Sequence, residues 1–192
     1  MSLSIPQVKR ILEAAIFSAD EPLSIERLAQ LFSEEEKLTN KELREILDAI
    51  AQDYQGRGVE LKELASGYRF QAQLDLAPWL TRLQQDRPAR YSRAFLETLA
   101  LIAYRQPITR AEIEEIRGVA VSSNIIKTLL EREWINIVGY REVPGKPALF
   151  ATTKQFLNYF NLKNLTDLPA LPETKEDEGE KQLALELEES LA

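Results

Sequence analysis

The chain of 192 residues contains no cysteine and no histidine. Disulfide bonds are therefore impossible, and zinc and most transition metals lose their usual ligands. The Ser-His and Cys-His pairs that activate a nucleophile are excluded as well. Only carboxylate chemistry remains, and Glu112, Glu114 and Glu115 are more typical of the exposed first turns of a helix. We expect no metal, no cofactor and no enzymatic activity.

Long apolar runs are also missing. No stretch approaches the roughly 18 apolar residues that a membrane span needs, so no membrane association is expected. The first residues, Met1 to Pro6, lack the basic region that precedes the apolar part of a secretory signal. Together with the absence of cysteine, this pattern predicts a cytoplasmic protein in a reducing compartment.

The chain lacks an excess of basic residues. Its 24 Lys and Arg face 31 Asp and Glu, which gives a net charge of −7. Residues 173–192 contain eight acids and two lysines, so the rest of the chain is close to neutral. DNA-binding domains neutralise phosphates with basic side chains, and this chain offers no such surplus.

A short step of proline, aliphatic residue and hydroxyl residue occurs twice, at Pro22-Leu23-Ser24 and at Pro107-Ile108-Thr109. Each step lies between two helical patterns and is followed by a third helix and two β-rich runs joined at a glycine, Gly67 or Gly145. The order helix-helix-helix-strand-turn-strand is that of a winged helix. We predict a mainly α chain with small β-hairpins, an α+β fold of two tandem winged-helix domains.

Composition sets the predicted boundaries. The polar, proline-containing residues 85–90 are interpreted as a linker. The first domain is expected to end with an amphipathic helix from Leu74 to Leu83. The predicted organisation is an N-terminal winged helix at 1–84, the linker at 85–90, a C-terminal winged helix at 91–162, a short extension at 163–172 and a disordered acidic tail at 173–192.

The acidic tail carries one apolar pattern. Leu183, Leu187 and Leu191 recur at every fourth residue. This spacing fits a helix that forms on a partner. It fits equally a solvated tail whose leucines are spaced by chance, and both interpretations stay open.

Two helices have more apolar residues than one buried face requires. The first helix, Ile5 to Ala19, has a wide apolar stripe, which indicates either a well-buried helix or a helix that also packs on a second subunit. The segment from Phe95 to Tyr104 is apolar nearly all round, which predicts the central buried helix of the second domain.

Winged helices often place their third helix in the major groove of DNA. The first such helix here, Thr39 to Tyr54, carries more acidic than basic residues, and Ser122 to Glu133 carries equal numbers. Both barely offer the side chains that direct base readout needs. Weak or indirect DNA contact is expected at most, and a winged-helix DNA-binding transcriptional regulator is the alternative function.

The chain closely resembles the bacterial segregation and condensation protein B family in several segments. They are LETLALIAYRQPITRAEIEEIRGV (Leu96 to Val119), KTLLERE (Lys127 to Glu133), VGYREVPGKPALFATT (Val138 to Thr153) and FLNYFNLKNLTDLP (Phe156 to Pro169). With a looser match in the first half, the resemblance covers about Ile5 to Leu171.

The resemblance implies a non-enzymatic subunit of the bacterial condensin-like SMC complex, which acts in chromosome condensation and segregation during cell division. Family members form homodimers, chiefly through the first winged-helix domain. They bind the kleisin, segregation and condensation protein A, which bridges the SMC ATPase heads at the nucleoid. The implied dimer-interface candidates are Ile5, Val8, Ile11, Leu12 and Phe17, and the implied kleisin-binding candidates are Arg105, Gln106, Arg110, Lys127 and Arg132.

Overall fold

The computed structural model describes residues 3–33, 35–36, 38–83 and 91–171. These residues form two helix–sheet units, which we call the N-terminal unit (residues 3–83) and the C-terminal unit (residues 91–171). Each unit has its own cluster of buried apolar side chains. The α+β fold class is confirmed. The predicted linker at 85–90 and the predicted disordered tail at 173–192 lie outside the described residues.

The N-terminal unit consists of helices followed by one antiparallel hairpin. Ser4 and Thr39 begin their helices with capping boxes, in which Gln7 and Glu42 return a side chain to the capping backbone N–H. The elements are α1 (Ile5–Ser18), α2 (Ile25–Ala29), α3 (Asn40–Asp53), β1 (Val59–Leu64), β2 (Gly67–Ala72), a 3₁₀ turn (Leu74–Leu76) and α4 (Ala77–Leu80).

The C-terminal unit repeats this order with one additional short strand. Thr109 and Glu112 form its capping box, and Gly118 ends the second of its helices in the left-handed conformation. The elements are α5 (Arg93–Arg105), β3 (Ile108–Thr109), α6 (Arg110–Arg117), α7 (Ser123–Glu131), β4 (Ile135–Tyr140), β5 (Ala148–Thr152), α8 (Lys154–Tyr159) and a 3₁₀ turn (Leu165–Asp167).

The repeated proline step has the same structural role in both units. Its aliphatic residue pairs with the returning strand of the hairpin: Leu23 bridges Tyr68, and Ile108 pairs with Phe150. Its hydroxyl residue then caps the next helix through the side-chain oxygen, as Thr109 does for α6. The step therefore joins the hairpin to the helices, and this explains why it occurs once in each unit.

A hydrogen-bonded contact joins the N-terminal hairpin to the end of α8. The Ser66 N–H donates to Asn158 Oδ1 at 3.2 Å, and Asn158 Nδ2 donates to Ser66 Oγ at 2.8 Å. The Ala65 N–H donates to the Leu162 carbonyl at 3.2 Å. Two more exposed pairs surround this contact: Arg69 with Asn161 (2.6 Å) and Lys163 with Glu63 (2.6 Å).

The predicted amphipathic helix from Leu74 to Leu83 is wrong. This stretch, which we call the closing segment (residues 74–83), is a 3₁₀ turn followed by the four-residue α4, and no side chain of either is buried. Pro78 lies in the first turn of α4, where its missing N–H is tolerated. Because Pro78 cannot continue a helix that starts at Leu74, only a short helix remains.

Candidate functional site

Two of the kleisin-binding candidates hold the C-terminal unit together. Gln106 Oε1 accepts hydrogen bonds from the Thr152 N–H at 2.6 Å and from Thr152 Oγ1 at 3.0 Å, which ties the end of α5 to β5. Arg110 donates from Nη2 to the Val121 carbonyl at 2.6 Å and from Nη1 to Ser123 Oγ at 3.0 Å. These polar groups are satisfied within the unit, so a structural role accounts for both residues.

Arg110 also belongs to a small ionic network. Its Nε lies 2.9 Å from Glu114 Oε1, and the same carboxylate oxygen accepts the Val121 N–H at 2.9 Å. The Val121 N–H and, second, the Arg110 guanidinium hold the pKa of Glu114 below its usual range. The network joins α6 to the residues that lead into α7.

The other kleisin-binding candidates are dispersed over the surface. Lys127 is exposed on α7 and lies 3.6 Å from Glu131 one turn later. The Arg132 guanidinium lies over the rings of Tyr91 and Trp134, at 5.0 and 5.5 Å from their centroids, in cation–π contact. Arg105 is exposed at the end of α5 and lines an apolar groove. The structure therefore does not bring the predicted cations together into one site.

An apolar groove lies beside Arg105 in the C-terminal unit. It has a volume of about 440 Å³ and lies between the exposed face of α5 and the end of α6. Pockets of this size are within the range that accommodates ligand side chains. We call it the α5–α6 groove, and its lining residues are Glu97, Ala100, Leu101, Tyr104, Arg105, Ile116, Arg117 and Leu171.

An ion pair between the largely buried Arg117 and the half-exposed Glu97 lies at one end of this groove. Arg117 Nη2 donates to Glu97 Oε2 at 3.2 Å, and Arg93 Nε reaches the other carboxylate oxygen at 2.7 Å. Hydrogen bonds from Arg93 and then Arg117 hold the pKa of Glu97 below its usual range. The Arg117 side chain is 9% exposed, and its Nε has no hydrogen-bond partner among the described residues. The groove thus combines apolar walls with an incompletely satisfied guanidinium.

A second apolar groove of about 400 Å³ lies on the other side of Tyr104. It runs between α5 and the residues after α8, and the Tyr104 hydroxyl donates to the Pro169 carbonyl at 2.6 Å across its edge. The predicted central helix of the second domain contributes five buried residues to the core, but it is not buried all round, because Leu96 and Ala100 are exposed. The all-round apolar character of α5 reflects one core face and two groove faces.

The structure divides the dimer-interface candidates on α1. Val8 and Leu12 belong to the core of the N-terminal unit, where contacts with α3 remove them from any exterior surface. Ile5, Ile11 and Phe17 are exposed. They are spaced by six residues, which is about 240° of rotation per interval on an α-helix, so they point in three different directions. These three residues cannot form one continuous stripe.

The closing segment of the N-terminal unit also carries strongly exposed apolar side chains. In the closing segment Leu74 is 85% exposed and Trp79 is 60% exposed. Phe17, which is 76% exposed, lines a shallow groove with Val59 and Ala72, and Ala72 ends the strand that leads into the closing segment. Exposed apolar side chains therefore lie at the end of α1 and in the closing segment, and the described residues do not cover them.

The surfaces that a DNA-binding winged helix would use carry paired charges. On α3, Lys41 lies 3.9 Å from Glu45, and on α7 Lys127 faces Glu131. The third helices thus present no cationic stripe, as the sequence predicted. Among the residues placed by the structure, no group of acidic side chains could hold a metal ion, and no helix is long and apolar enough to cross a membrane.

Several residues of the α5–α6 groove were missed by sequence reasoning. Tyr104, Ile116, Arg117 and Leu171 carry no motif, and the charge of Arg117 suggested a solvated surface. One feature of the sequence could have predicted the groove: α5 has apolar residues on every side. A helix in so small a unit has only one core to face, so its additional apolar positions indicate a second surface.

Comparison with known proteins gives consistent matches. The family model described as segregation and condensation complex subunit ScpB matches residues 10–171. A segregation and condensation protein B homolog of Coxiella burnetii is 58% identical over 190 residues, covering 96% of this chain and 90% of the relative. Segregation and condensation protein B of Bacillus subtilis is 41% identical over 181 residues, covering 93% and 89%.

Solved structures of the same group are also similar. ScpB from Mycobacterium tuberculosis is 34% identical, with 84% of this chain and 99% of that chain covered and a TM-score of 0.40. A dimer of an ScpB N-terminal domain complexed with an ScpA peptide is 28% identical, with 42% and 98% covered and a TM-score of 0.37.

Proposed function

Because the chain belongs to the segregation and condensation protein B family, we propose that it is a homodimeric, kleisin-binding subunit of a bacterial SMC complex. In this role it acts in chromosome condensation and segregation at the nucleoid, and the kleisin connects it to the SMC ATPase. The chain itself performs no catalysis. One observation carries the assignment of a partner-binding role to the C-terminal unit: the apolar α5–α6 groove with its guanidinium groups.

We propose that both units are winged helices, spanning 1–84 and 91–162. Support comes from the repeated order of helices and antiparallel hairpin, and from the proline step that joins the two parts. In this view the hairpins are the wings. The residues from Lys163 to Leu171 extend the second winged helix and form a wall of its grooves.

The kleisin is proposed to bind the α5–α6 groove as an apolar segment with acidic flanks. Leu101, Tyr104 and Ile116 supply apolar contact area, which provides most of the affinity in such interfaces. Arg105 at the rim attracts an acidic partner, and it is the one predicted cation that lines this groove. Lys127 and Arg132 are assigned at most a peripheral part, because they lie on other elements.

The homodimer is proposed to form through the exposed apolar end of the N-terminal unit. The closing segment and Phe17 contribute the largest exposed apolar side chains of that unit. A four-residue helix without buried side chains has little stability of its own, so burial against a second copy would stabilise it. Ile5 and Ile11 lie outside the proposed dimer surface because they point away from Phe17.

Co-purification tests the function as a whole. The full chain, expressed with a fragment spanning the central part of the kleisin, should elute as a complex with two copies of this chain per kleisin. A monomeric chain that does not retain the kleisin fragment would refute the proposal. Ile116→Glu should weaken kleisin binding by at least tenfold, whereas Ile137→Glu, also at an exposed apolar position of the same unit, should not.

Analytical ultracentrifugation tests the dimer surface. Trp79→Glu and Phe17→Glu should each shift the chain toward the monomer, because they place a charge in the proposed contact. Ile5→Glu is the matched control on the same helix as Phe17, and it should leave the dimer intact. If Ile5→Glu dissociates the dimer and Trp79→Glu does not, the interface lies elsewhere on α1.

A further inference from the structure

The α5–α6 groove favours a ligand that is both apolar and acidic. Leu101, Tyr104 and Ile116 provide apolar walls, and Arg117 provides a buried guanidinium whose Nε is unpaired within the described residues. The Arg117 Nε itself is enclosed by protein, so a carboxylate in the groove would meet the positive charges of Arg117 and of Arg105 at the rim. The groove is therefore suited to leucine-like side chains with a carboxylate close by.

The charges around the groove also favour an acidic ligand. Arg105 makes no ion pair with any residue that the structure describes, and the nearby Glu97 is already bonded to Arg93 and Arg117. The rim thus keeps an uncompensated positive charge. An acidic segment would gain electrostatic attraction here, whereas a basic one would be repelled.

The chain itself leads an acidic segment to this groove. Leu171 lines the groove, and residues 172–192 follow directly. This C-terminal segment contains eight acidic residues and two lysines, with Leu183, Leu187 and Leu191 at every fourth position. The residues between Leu171 and Leu183 can span up to about 40 Å, and α5 is only about 20 Å long. The leucines can therefore return to any part of the groove.

We propose that the C-terminal segment binds the α5–α6 groove of its own chain through Leu183, Leu187 and Leu191, and that it must leave before a kleisin segment binds there. The second part rests on the proposed function of the groove. The segment thus acts as an intramolecular competitor, which keeps the apolar groove covered until the partner is present.

The tether makes such competition effective even if the contact is weak. A short flexible connection gives the segment an effective concentration on the order of 1 mM at its groove. If the free segment bound with a Kd of about 0.1 mM, it would lower the apparent affinity of a competing partner about tenfold.

The experiment compares three full-length proteins: the parent chain, a variant with Leu183→Ser, Leu187→Ser and Leu191→Ser, and the control Leu185→Ser. Leu185 is a leucine of the same segment that lies outside the fourfold spacing. Methyl NMR signals of Leu101 and Ile116 report on the groove. Isothermal titration with the central kleisin fragment reports on competition.

The triple variant should shift the Leu101 and Ile116 signals and bind the kleisin fragment about tenfold more tightly than the parent, while Leu185→Ser matches the parent. Identical groove signals in the parent and the triple variant would overturn the proposal. Equal kleisin affinities with shifted signals would overturn the competition. If the kleisin fragment binds none of the proteins, the proposed function fails, and the NMR signals still decide whether the segment occupies the groove.

Discussion

The two units use the same hairpin in different ways. In the N-terminal unit the hairpin turns within two residues, Ala65 and Ser66, and both of them hydrogen-bond to the C-terminal unit. In the C-terminal unit the hairpin tip, residues 141–146, is longer and exposed. One architecture therefore serves once as an internal contact and once as an exposed loop. The length and residues of the turn make this difference.

The units also differ in how they use aromatic side chains. Trp134 is 2% exposed and contacts the rings of Tyr91, Phe95, Tyr159 and Phe160. Trp79, the other tryptophan, has no such surroundings and is exposed in the closing segment. The C-terminal unit is thus stabilised by an internal aromatic cluster, and the N-terminal unit leaves its tryptophan available to a partner.

The largest expected effect is the difference in stability between alanine substitutions of the two tryptophans. Trp134→Ala should destabilise the chain by about 3–5 kcal/mol, because it leaves a large cavity in the C-terminal core. Trp79→Ala should change the stability of the isolated chain by about 0.5 kcal/mol or less. Urea unfolding followed by far-UV circular dichroism, at a concentration that keeps the chain monomeric, measures both. If both substitutions lowered the free energy of unfolding equally, Trp79 would have to be packed as well as Trp134, which contradicts the comparison.

The hairpin glycines give the next largest contrast. At Gly67 an added Cβ would lie 2.1 Å from the Leu23 carbonyl oxygen, whereas at Gly145 nothing lies within 4 Å. Both have positive φ, which costs an alanine about 1–2 kcal/mol. Gly67→Ala should cost more than about 3 kcal/mol, since backbone atoms must also move. Gly145→Ala should cost only about 1 kcal/mol. Thermal unfolding of both variants ranks them, and the reverse order would contradict the role given to Leu23.

A smaller effect is expected at the contact between the units. Asn158→Ala removes both hydrogen bonds to Ser66 from a site that is nearly buried, and it should cost about 1–2 kcal/mol. Lys163→Met removes the exposed ion pair with Glu63 and should cost about 0.5 kcal/mol or less. Differential scanning calorimetry should show Asn158→Ala separating the unfolding of the two units. A single unchanged transition would mean that Asn158 does not couple them.

Local features of both units could be predicted from the sequence. Two capping boxes are examples: Ser4 with Gln7, and Thr109 with Glu112. The paired residues are three positions apart, so the motif can be recognised in the sequence alone. The two β-rich runs joined at Gly145 were predicted, and the structure forms β4 and β5 there. Interactions of this range depend little on how the helices pack.

Functional side chains could be predicted only in part. Gln106 looked like a surface residue because its partner, Thr152, is 46 residues away in the chain. Arg117 is buried only because α5 and α6 pack together and bring Glu97 to it. Val8 and Leu12 were grouped with exposed residues because a wide stripe does not reveal which part faces the core. In each case the tertiary arrangement decides the role of the side chain.

The smallest expected effect concerns acid stability and the network around α6. The pKa of Glu114 is lowered by the Val121 N–H and by Arg110, so the stability that this carboxylate contributes is present above its unfolded pKa, near 4.3, and is lost as the pH falls through the lower folded pKa. Glu114→Gln should therefore be less stable than the parent at pH 7, and the difference should shrink as the pH falls toward 3. Thermal melts across that range measure it, followed by tryptophan fluorescence in a Trp79→Phe background so that only Trp134 reports.

Glu42 supplies the matching control in the N-terminal unit. Its pKa is lowered by the Thr39 backbone N–H and hydroxyl, without a cationic partner in the described part of the chain. In an Asn158→Ala background, where the two units are expected to unfold separately, Glu42→Gln should leave the acid transition of the C-terminal unit unchanged, because its capping box lies in the other unit. If Glu42→Gln shifts that transition as much as Glu114→Gln does in the same background, the two units still unfold as one, and contacts other than those of Asn158 couple them.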